Sequence, residues 1–285
     1  MHEAKQPFPS LGTVYKGCFP FRLSVPSFIY PASYADNVRL LGPFVDEIEL
    51  LLFESSHGSL LDPTEIDELA ALARRFNLTY NVHLPIDLDL GAADPIARRA
   101  AVRRMAQVAR KAQPLTPTTY TLHLPFTQQD RGPANVEKWR RRTLQSMETF
   151  LQANDIAPGL FSIETLDYPP QWFAPIVNVL DLSVCLDVGH VLHYGFDLEE
   201  QFTRFGQRIV ICHLHGVAEG RDHVSLDRLA PEICRFLYSR LRDFEGSLSI
   251  EVFNFERLRT SLPSLLNMMS GTNADEPIAR KEIDK

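Results

Sequence analysis

The sequence predicts a single (β/α)8 barrel. Three observations lead there: eight short apolar runs recur along the 285 residues, segments of helical period separate them, and several runs are apolar almost throughout rather than alternating. Strands covered on both faces have that last property. Strict alternation of strand and helix over this length closes a parallel sheet on itself with right-handed crossovers. The alternative is an open doubly wound sheet, but no G-x-G-x-x-G follows the first run and no phosphate-binding glycine loop is present.

In order, the strand runs are FRLSVPSFI (21–29), EIELLLFE (47–54), TYNVHL (79–84), TYTLHL (119–124), LFSIET (160–165), LSVCLDV (182–188), RIVICHLH (208–215) and SLSIEVF (247–253). Helix starts lie between them. Asp62, Pro63 and Glu65 combine an N-cap, a proline at the first helical position and a capping-box glutamate. Asp94 with Pro95, and Asp197 with Glu200, repeat the device. The barrel is expected over 21–268, after an N-terminal extension (1–20) and before a tail (269–285) that loses apolar periodicity and reads as disordered. Arg98, Arg99, Arg103 and Arg104, and Lys138, Arg140, Arg141 and Arg142, fall in helical stretches and read as solvated outer faces.

Composition narrows the function. With 45% hydrophobic, 10% aromatic and 23% charged residues, the chain has material for one sizeable core. A formal net charge of −7 repels a phosphate backbone, so no nucleic-acid partner is expected. No run approaches the roughly 18 apolar residues of a membrane helix, and the N-terminus lacks signal-peptide order, so a cytoplasmic protein without a membrane partner is expected. Cys18, Cys185, Cys212 and Cys234 show no C-x-x-C spacing and read as reduced and structural.

A barrel of this kind places its active site at the C-terminal ends of the strands. From the third strand to the eighth, those ends carry His83, His123, Glu164, Asp187, His213 and Glu251, with His190, His215 and His223 close by. Imidazoles and carboxylates inside apolar strands are costly unless paired or metal-bound. A set of this composition suits Zn²⁺, Mn²⁺ or Fe²⁺ better than Mg²⁺ or Ca²⁺. Taken singly, His83 or His123 reads as a core histidine, Asp187 as the cap of the following turn and Glu251 as an ion-paired barrel residue; the group favours a metal centre. His215 and Asp222 stand equally as ligands or as partners of ligands. Glu49 and Glu54 are candidates for orienting ligands or binding substrate, Arg22 is a candidate anion contact, and His2, His57 and His193 read as loop residues.

His83, His123, Glu164 in SIET, Asp187 and His190 in CLDVGH, His213 in HLH and Glu251 in SIEVF resemble, in this order, the xylose-isomerase-like barrels and especially AP endonuclease family 2. The resemblance reaches to about residue 268. It implies a trinuclear, usually zinc, centre: His83 and His123 on one ion with Glu164 bridging, Asp187, His213 and Glu251 completing the second, and His190 and His223, with or without Asp222, on the third. That family's late loop places an aspartate and a histidine two apart, whereas Asp222 and His223 are adjacent here. The strings PSFIYPASYADNVR, DEIELLLFES, YNVHLP, TYTLHLP, SIETLDYP, DLSVCLDVGH and HLHGV followed by DHVSL are more closely similar to the cobamide-remodelling phosphodiesterases. That similarity implies hydrolysis of the nucleotide-loop phosphodiester of B12-type cofactors to a cobinamide-type precursor, with a small-molecule corrinoid as substrate.

Two or three divalent ions at the strand ends suit such a hydrolysis, with Glu164 and Glu251 as the carboxylates placed to help deprotonate water. The alternatives are a sugar isomerase or epimerase, in which Glu164, Asp187, His213 and Glu251 hold one ion, an AP-type endonuclease, and a non-catalytic cobamide- or metal-binding protein. His83 and His123 separate the hydrolase from the isomerase, because one ion does not need two further imidazoles.

Overall fold

The computed structural model describes residues 8–56 and 60–271. Its strands are β1 (Arg22–Pro26), β2 (Glu47–Leu51), β3 (Thr79–His83), β4 (Tyr120–Leu122), β5 (Phe161–Glu164), β6 (Ser183–Asp187), β7 (Ile209–Leu214), β8 (Gly216–Ala218), β9 (Arg221–Val224) and β10 (Ser247–Ile250). The order β1-β10-β7-β6-β5-β4-β3-β2 closes into a barrel of parallel neighbours, and β8 and β9 form a separate antiparallel pair. Each barrel strand lies inside one of the eight apolar runs but is shorter than it. The surplus residues at each C-terminal end leave the ladder to build the mouth, which is how His123, His215 and Glu251 come to sit one residue past β4, β7 and β10. The β8–β9 hairpin, absent from the sequence expectations, inserts between β7 and the next helix.

Around the barrel lie α1 (Tyr34–Leu41), α2 (Pro63–Phe76), α3 (Pro95–Ala112), α4 (Pro133–Gln152), α5 (Ala174–Leu180), α6 (Val188–His193), α7 (Leu198–Phe205), α8 (Pro231–Leu241) and α9 (Phe255–Met269). The expected helix starts are in place. Asp62 accepts from the Glu65 amide while Glu65 accepts from the Asp62 amide, each at 2.9 Å, closing the capping box of α2. Asp94 caps α3 and Asp197 caps α7. None of the helices among the described residues is long and apolar enough to cross a membrane.

Small and polar side chains, rather than the bulky branched ones usual in such barrels, occupy part of this interior: Ser24, Glu47, Asn81, Ser162 and Ser249 are all buried. Glu47 is fully used there, accepting from Asn81 Nδ2 at 2.8 Å, Thr79 Oγ1 at 3.0 Å and Thr118 Oγ1 at 2.6 Å. The apolar core lies outside the sheet, where residues such as Leu23, Ile48, Val82, Ile163 and Leu186 meet the helices.

Two expectations change. The two basic stretches are only half solvated: Arg99, Arg103, Lys138 and Arg141 are exposed, whereas Arg98, Arg104, Arg140 and Arg142 are partly buried. Arg98 donates to the Ala92 and Ala93 carbonyls, Arg142 to that of Gly91 and Arg140 to that of Trp172, because helical rotation turns these positions toward the loops at the mouth. His193 is the last residue of α6 rather than a loop residue. His2 and His57 lie outside the described residues, as does most of the 269–285 segment. Of the extension, Tyr15 is buried and its amide donates to the Phe44 carbonyl, so this part packs on the barrel.

Candidate metal centre

At the strand ends the polar residues converge into one buried ring. His83 ends β3, Glu164 ends β5 and Asp187 ends β6, while His213 lies inside β7. His83, Glu164, Asp187, His213, His215 and Glu251 are all at most 3% exposed. Ligand atoms of Glu164, Asp187, His213 and Glu251 lie within 4.8 Å of one another, as do those of His83, Glu164 and His213, and those of His190, His215 and His223. Glu164 belongs to the first two groups. Its Oε2 stands 3.0 Å from Nε2 of both His83 and His123, and its Oε1 stands 3.3 Å from His190 Nδ1.

Backbone carbonyls set the tautomers. Nδ1 of His83 lies 3.0 Å from the Leu84 carbonyl, that of His190 3.1 Å from the Thr165 carbonyl and that of His223 3.0 Å from the Glu251 carbonyl. A carbonyl only accepts, so each Nδ1 carries a proton and each neutral ring keeps its lone pair on Nε2. For His83 that lone pair faces a carboxylate oxygen at 3.0 Å, a repulsive contact unless a proton or a metal ion lies between them. Asp187 Oδ2, Glu251 Oε2 and His213 Nδ1 are buried without a hydrogen-bond partner. Groups of this kind are ordinarily satisfied, and a cation among them satisfies all at once. The donor set, imidazole with carboxylate, fits divalent transition ions such as Zn²⁺.

Within the ring the carboxylates and imidazoles shift one another's protonation. Burial pushes the Glu164 carboxyl up, yet the charges of His123 and His213 and bonds from His123 and His190 hold it well below the usual carboxylate range. Burial likewise raises Glu251, but His213 brings it below its ordinary value. Burial pulls His190 down, while the Asp187 charge and the Glu164 bond and charge outweigh it and raise His190 to about 10. His213 is pulled down by burial and raised well above its usual value by Cys185 and the carboxylates of Glu49, Glu251 and Glu164. The Cys185 thiol is itself pushed up by burial and stays neutral, so the carboxylates are what raise His213. Without metal, protons take the place of cations.

Local structure explains the placement. Asp187 caps α6, accepting from the His190 amide at 2.6 Å, so one residue is both a ligand candidate and the start of the helix that carries the next. Thr165 ties the two together: its Oγ1 accepts from the Asp187 amide at 2.9 Å and its carbonyl holds His190. His223 sits in the left-handed region with φ of 48°, a strained setting for a residue other than glycine, and the hairpin holds it there. Its amide donates to His215 Nδ1 at 2.9 Å, leaving His215 Nε2 3.2 Å from Asp187 Oδ1.

Among the other sequence candidates, Asp222 is a third exposed and lies 4.0 Å from His190 Nε2, at the edge of the ring. Glu54 is exposed just beyond β2. Glu49 is buried beneath the ring beside His213. Arg22 opens β1 at the opposite end of the barrel, 3.7 Å from Glu47, so it does not reach the mouth. Sequence reasoning missed Thr165, which ties Asp187 to His190, and Gly189, which leaves room for the His215 ring; neither residue type signals such a role.

Fold and site together define a metal-binding TIM-barrel enzyme. A family model described as xylose isomerase-like TIM barrel matches residues 39–283, and the chain belongs to that family. No curated protein matches it significantly by sequence. Among solved structures, a D-tagatose 3-epimerase-like protein is 17% identical with a TM-score of 0.73, over 88% of this chain and 98% of its own. A Thermus thermophilus protein determined after soaking with ZnCl2 is 21% identical with a TM-score of 0.68, over 90% of this chain and 100% of its own. Endonuclease IV from Thermus thermophilus is 17% identical with a TM-score of 0.67, over 88% and 100%. At these identities the likeness is one of fold.

Proposed function

We propose that the protein is a metal-dependent phosphodiesterase acting on a small-molecule diester, with the nucleotide loop of cobamides as the substrate class. The observation that carries the reading is the sharing of Glu164: one of its oxygens meets His83 and His123 at 3.0 Å each, while the same residue groups with Asp187, His213 and Glu251. A carboxylate common to two ligand sets suits adjacent ions, and a single-ion centre has no use for the His83 and His123 pair. His83, His123 and Glu164 would hold one ion, Glu164, Asp187, His213 and Glu251 a second, and His190 and His223 a third, with His215 positioning them: its Nδ1 takes the His223 amide and its Nε2 faces Asp187. Such ions acidify water and neutralise charge on the phosphoryl and leaving oxygens.

The chain's own residues supply the rest. On this reading Glu251, whose Oε2 is buried without a hydrogen-bond partner, would take a proton from the attacking water. Phe53 packs edge-on against the His83 ring at 4.9 Å, and Phe253 lies 4.9 Å from that of His223, so apolar walls shield the ligands from bulk water. Phe28, Ile86 and Tyr194 are exposed on the loops after β1 and β3 and after α6, and they offer apolar surface to a bulky ligand. The formal net charge of −7 disfavours a polyanion and supports a substrate with one phosphate. The corrinoid itself rests on the resemblance of the strings between the ligand residues.

A second reading, a sugar epimerase, is favoured by the compactness of the Glu164, Asp187, His213 and Glu251 group, which suffices for one ion, and by the fold shared with a D-tagatose 3-epimerase-like protein. Incubation of the zinc- or manganese-loaded protein with a cobamide, abasic-site DNA and ketohexoses, with products identified by mass, tests both. A cobinamide-type product supports the proposal. Intact cobamide together with an epimerised sugar or nicked DNA overturns it.

A further inference from the structure

The side chain of Glu49 crosses the floor of the site from three strands away. Going round the barrel from β2, the order is β1, β10 and β7, yet Glu49 Oε1 comes 3.0 Å from Nε2 of His213 on β7. Both residues are completely buried; the two atoms meet at this distance without the alignment of a hydrogen bond, and neither has a hydrogen bond to any other group. The opposite edge of the imidazole faces the ring of ligands, with Nδ1 3.3 Å from Glu251 Oε2, 3.6 Å from Glu164 Oε2 and 3.8 Å from Asp187 Oδ2. On β10, next to β7, Ser249 pairs in register with His213 and donates its hydroxyl to Glu49 Oε2 at 2.5 Å.

We propose that Glu49 is a positioning residue: anchored by Ser249, it holds the proton of His213 on Nε2 and so directs the Nδ1 lone pair at the carboxylates of Glu164, Asp187 and Glu251. The comparison with Glu47, two residues earlier on the same strand, supports this. Glu47 has donors from Asn81, Thr79 and Thr118 and is a self-contained structural group. Glu49 has one oxygen held by Ser249 and the other 3.0 Å from His213 Nε2, with no hydrogen bond to any other group. A carboxylate behind a ligating histidine fixes its tautomer and ring orientation and makes it a better donor. The other group beside the ring, the Cys185 thiol, is neutral and a weak acceptor, so it cannot substitute.

This inference rests on the reading of the ring as a metal centre, and its test keeps the two apart. The full chain is stripped with chelator and titrated with Zn²⁺ against a chromophoric chelator, for the wild type and for Glu49→Ala, Glu49→Gln and Ser249→Ala. Glu49→Ala is expected to weaken one equivalent by roughly 10–100-fold and to leave the others nearly unchanged. Glu49→Gln, whose amide oxygen still accepts from Nε2, should recover most of that loss, and Ser249→Ala should fall between. In the zinc-loaded wild type, the His213 ring nitrogens should show Nε2 protonated, and Glu49→Ala should lose that single-tautomer signature. If Glu49→Ala is folded and binds every equivalent as tightly as the wild type, the proposal is overturned; equal losses in the alanine and glutamine variants overturn it too. Should Glu49→Ala fail to fold, wild-type affinity in Ser249→Ala has the same consequence. A wild-type chain that takes up no Zn²⁺ refutes instead the metal centre on which the inference rests.

Discussion

Gly189 lies against the ring of His215: a β-carbon on Gly189 would stand 2.0 Å from Cε1 and 2.3 Å from both ring nitrogens. No rotamer adjustment of a few tenths of an ångström relieves such contacts, and the ring is closed in by Asp187 and the His223 amide. Gly189→Ala should therefore displace His215, loosen the group of His190, His215 and His223, and lower the number of tightly held ions by one while the far-UV circular dichroism stays that of the wild type. Elemental analysis checks it. Full metal content in the variant would show that His215 is dispensable there.

The metal content of the wild type is itself a prediction. Three ligand groups, two of which share Glu164 and His213, should hold at least two transition ions per chain. Removing them with chelator should lower the melting temperature by roughly 10 °C, since ions that bind only the folded chain stabilise it by mass action. One equivalent or fewer after reconstitution, measured by inductively coupled plasma spectrometry, would return the site to a single-ion isomerase.

Glu164→Gln keeps the volume of the shared ligand and removes its charge, and Asp187→Asn does the same at the cap of α6. Either should cut phosphodiester turnover by about a hundredfold or more, because the charge balancing the cations is gone. The fold should survive. An unchanged rate in a folded Glu164 variant would mean that the hydrolytic centre lies elsewhere.

His190 supplies the pH dependence. Burial lowers it, but Asp187 and Glu164 raise it to about 10 in the metal-free chain, so it is protonated near neutrality. A raised folded value means that this imidazole stabilises the metal-free fold fully below its unfolded value of about 6.5, and that the contribution is lost as pH rises through about 10. Binding an ion there expels the proton, so apparent affinity should climb with pH by up to about tenfold per unit across that window. Zinc titrations at pH 6.5 and 7.5, with proton release followed in weak buffer, check this. Affinity that is flat with pH, with no proton released, would place His190 outside the ligand set.

Much of this protein was legible in its sequence. Eight apolar runs mark the eight barrel strands, and Asp62, Asp94 and Asp197 mark helix starts, because periodicity and capping are local properties of a few consecutive residues. The convergence of His83, His123, Glu164, Asp187, His213 and Glu251 was also foreseeable, since a parallel barrel brings every strand's C-terminal end to one face. Which of these residues share an oxygen, and what stands behind them, was decided only by tertiary structure. Glu49 reaches His213 across the lumen, Arg22 turns away to Glu47 at the far end, and His215 fits only because Gly189 has no side chain. The physical reason is that side-chain period and residue type describe a strand's own faces. Contacts across the barrel depend on its closure, the stagger of its strands and the left-handed turn at His223, which no single segment contains.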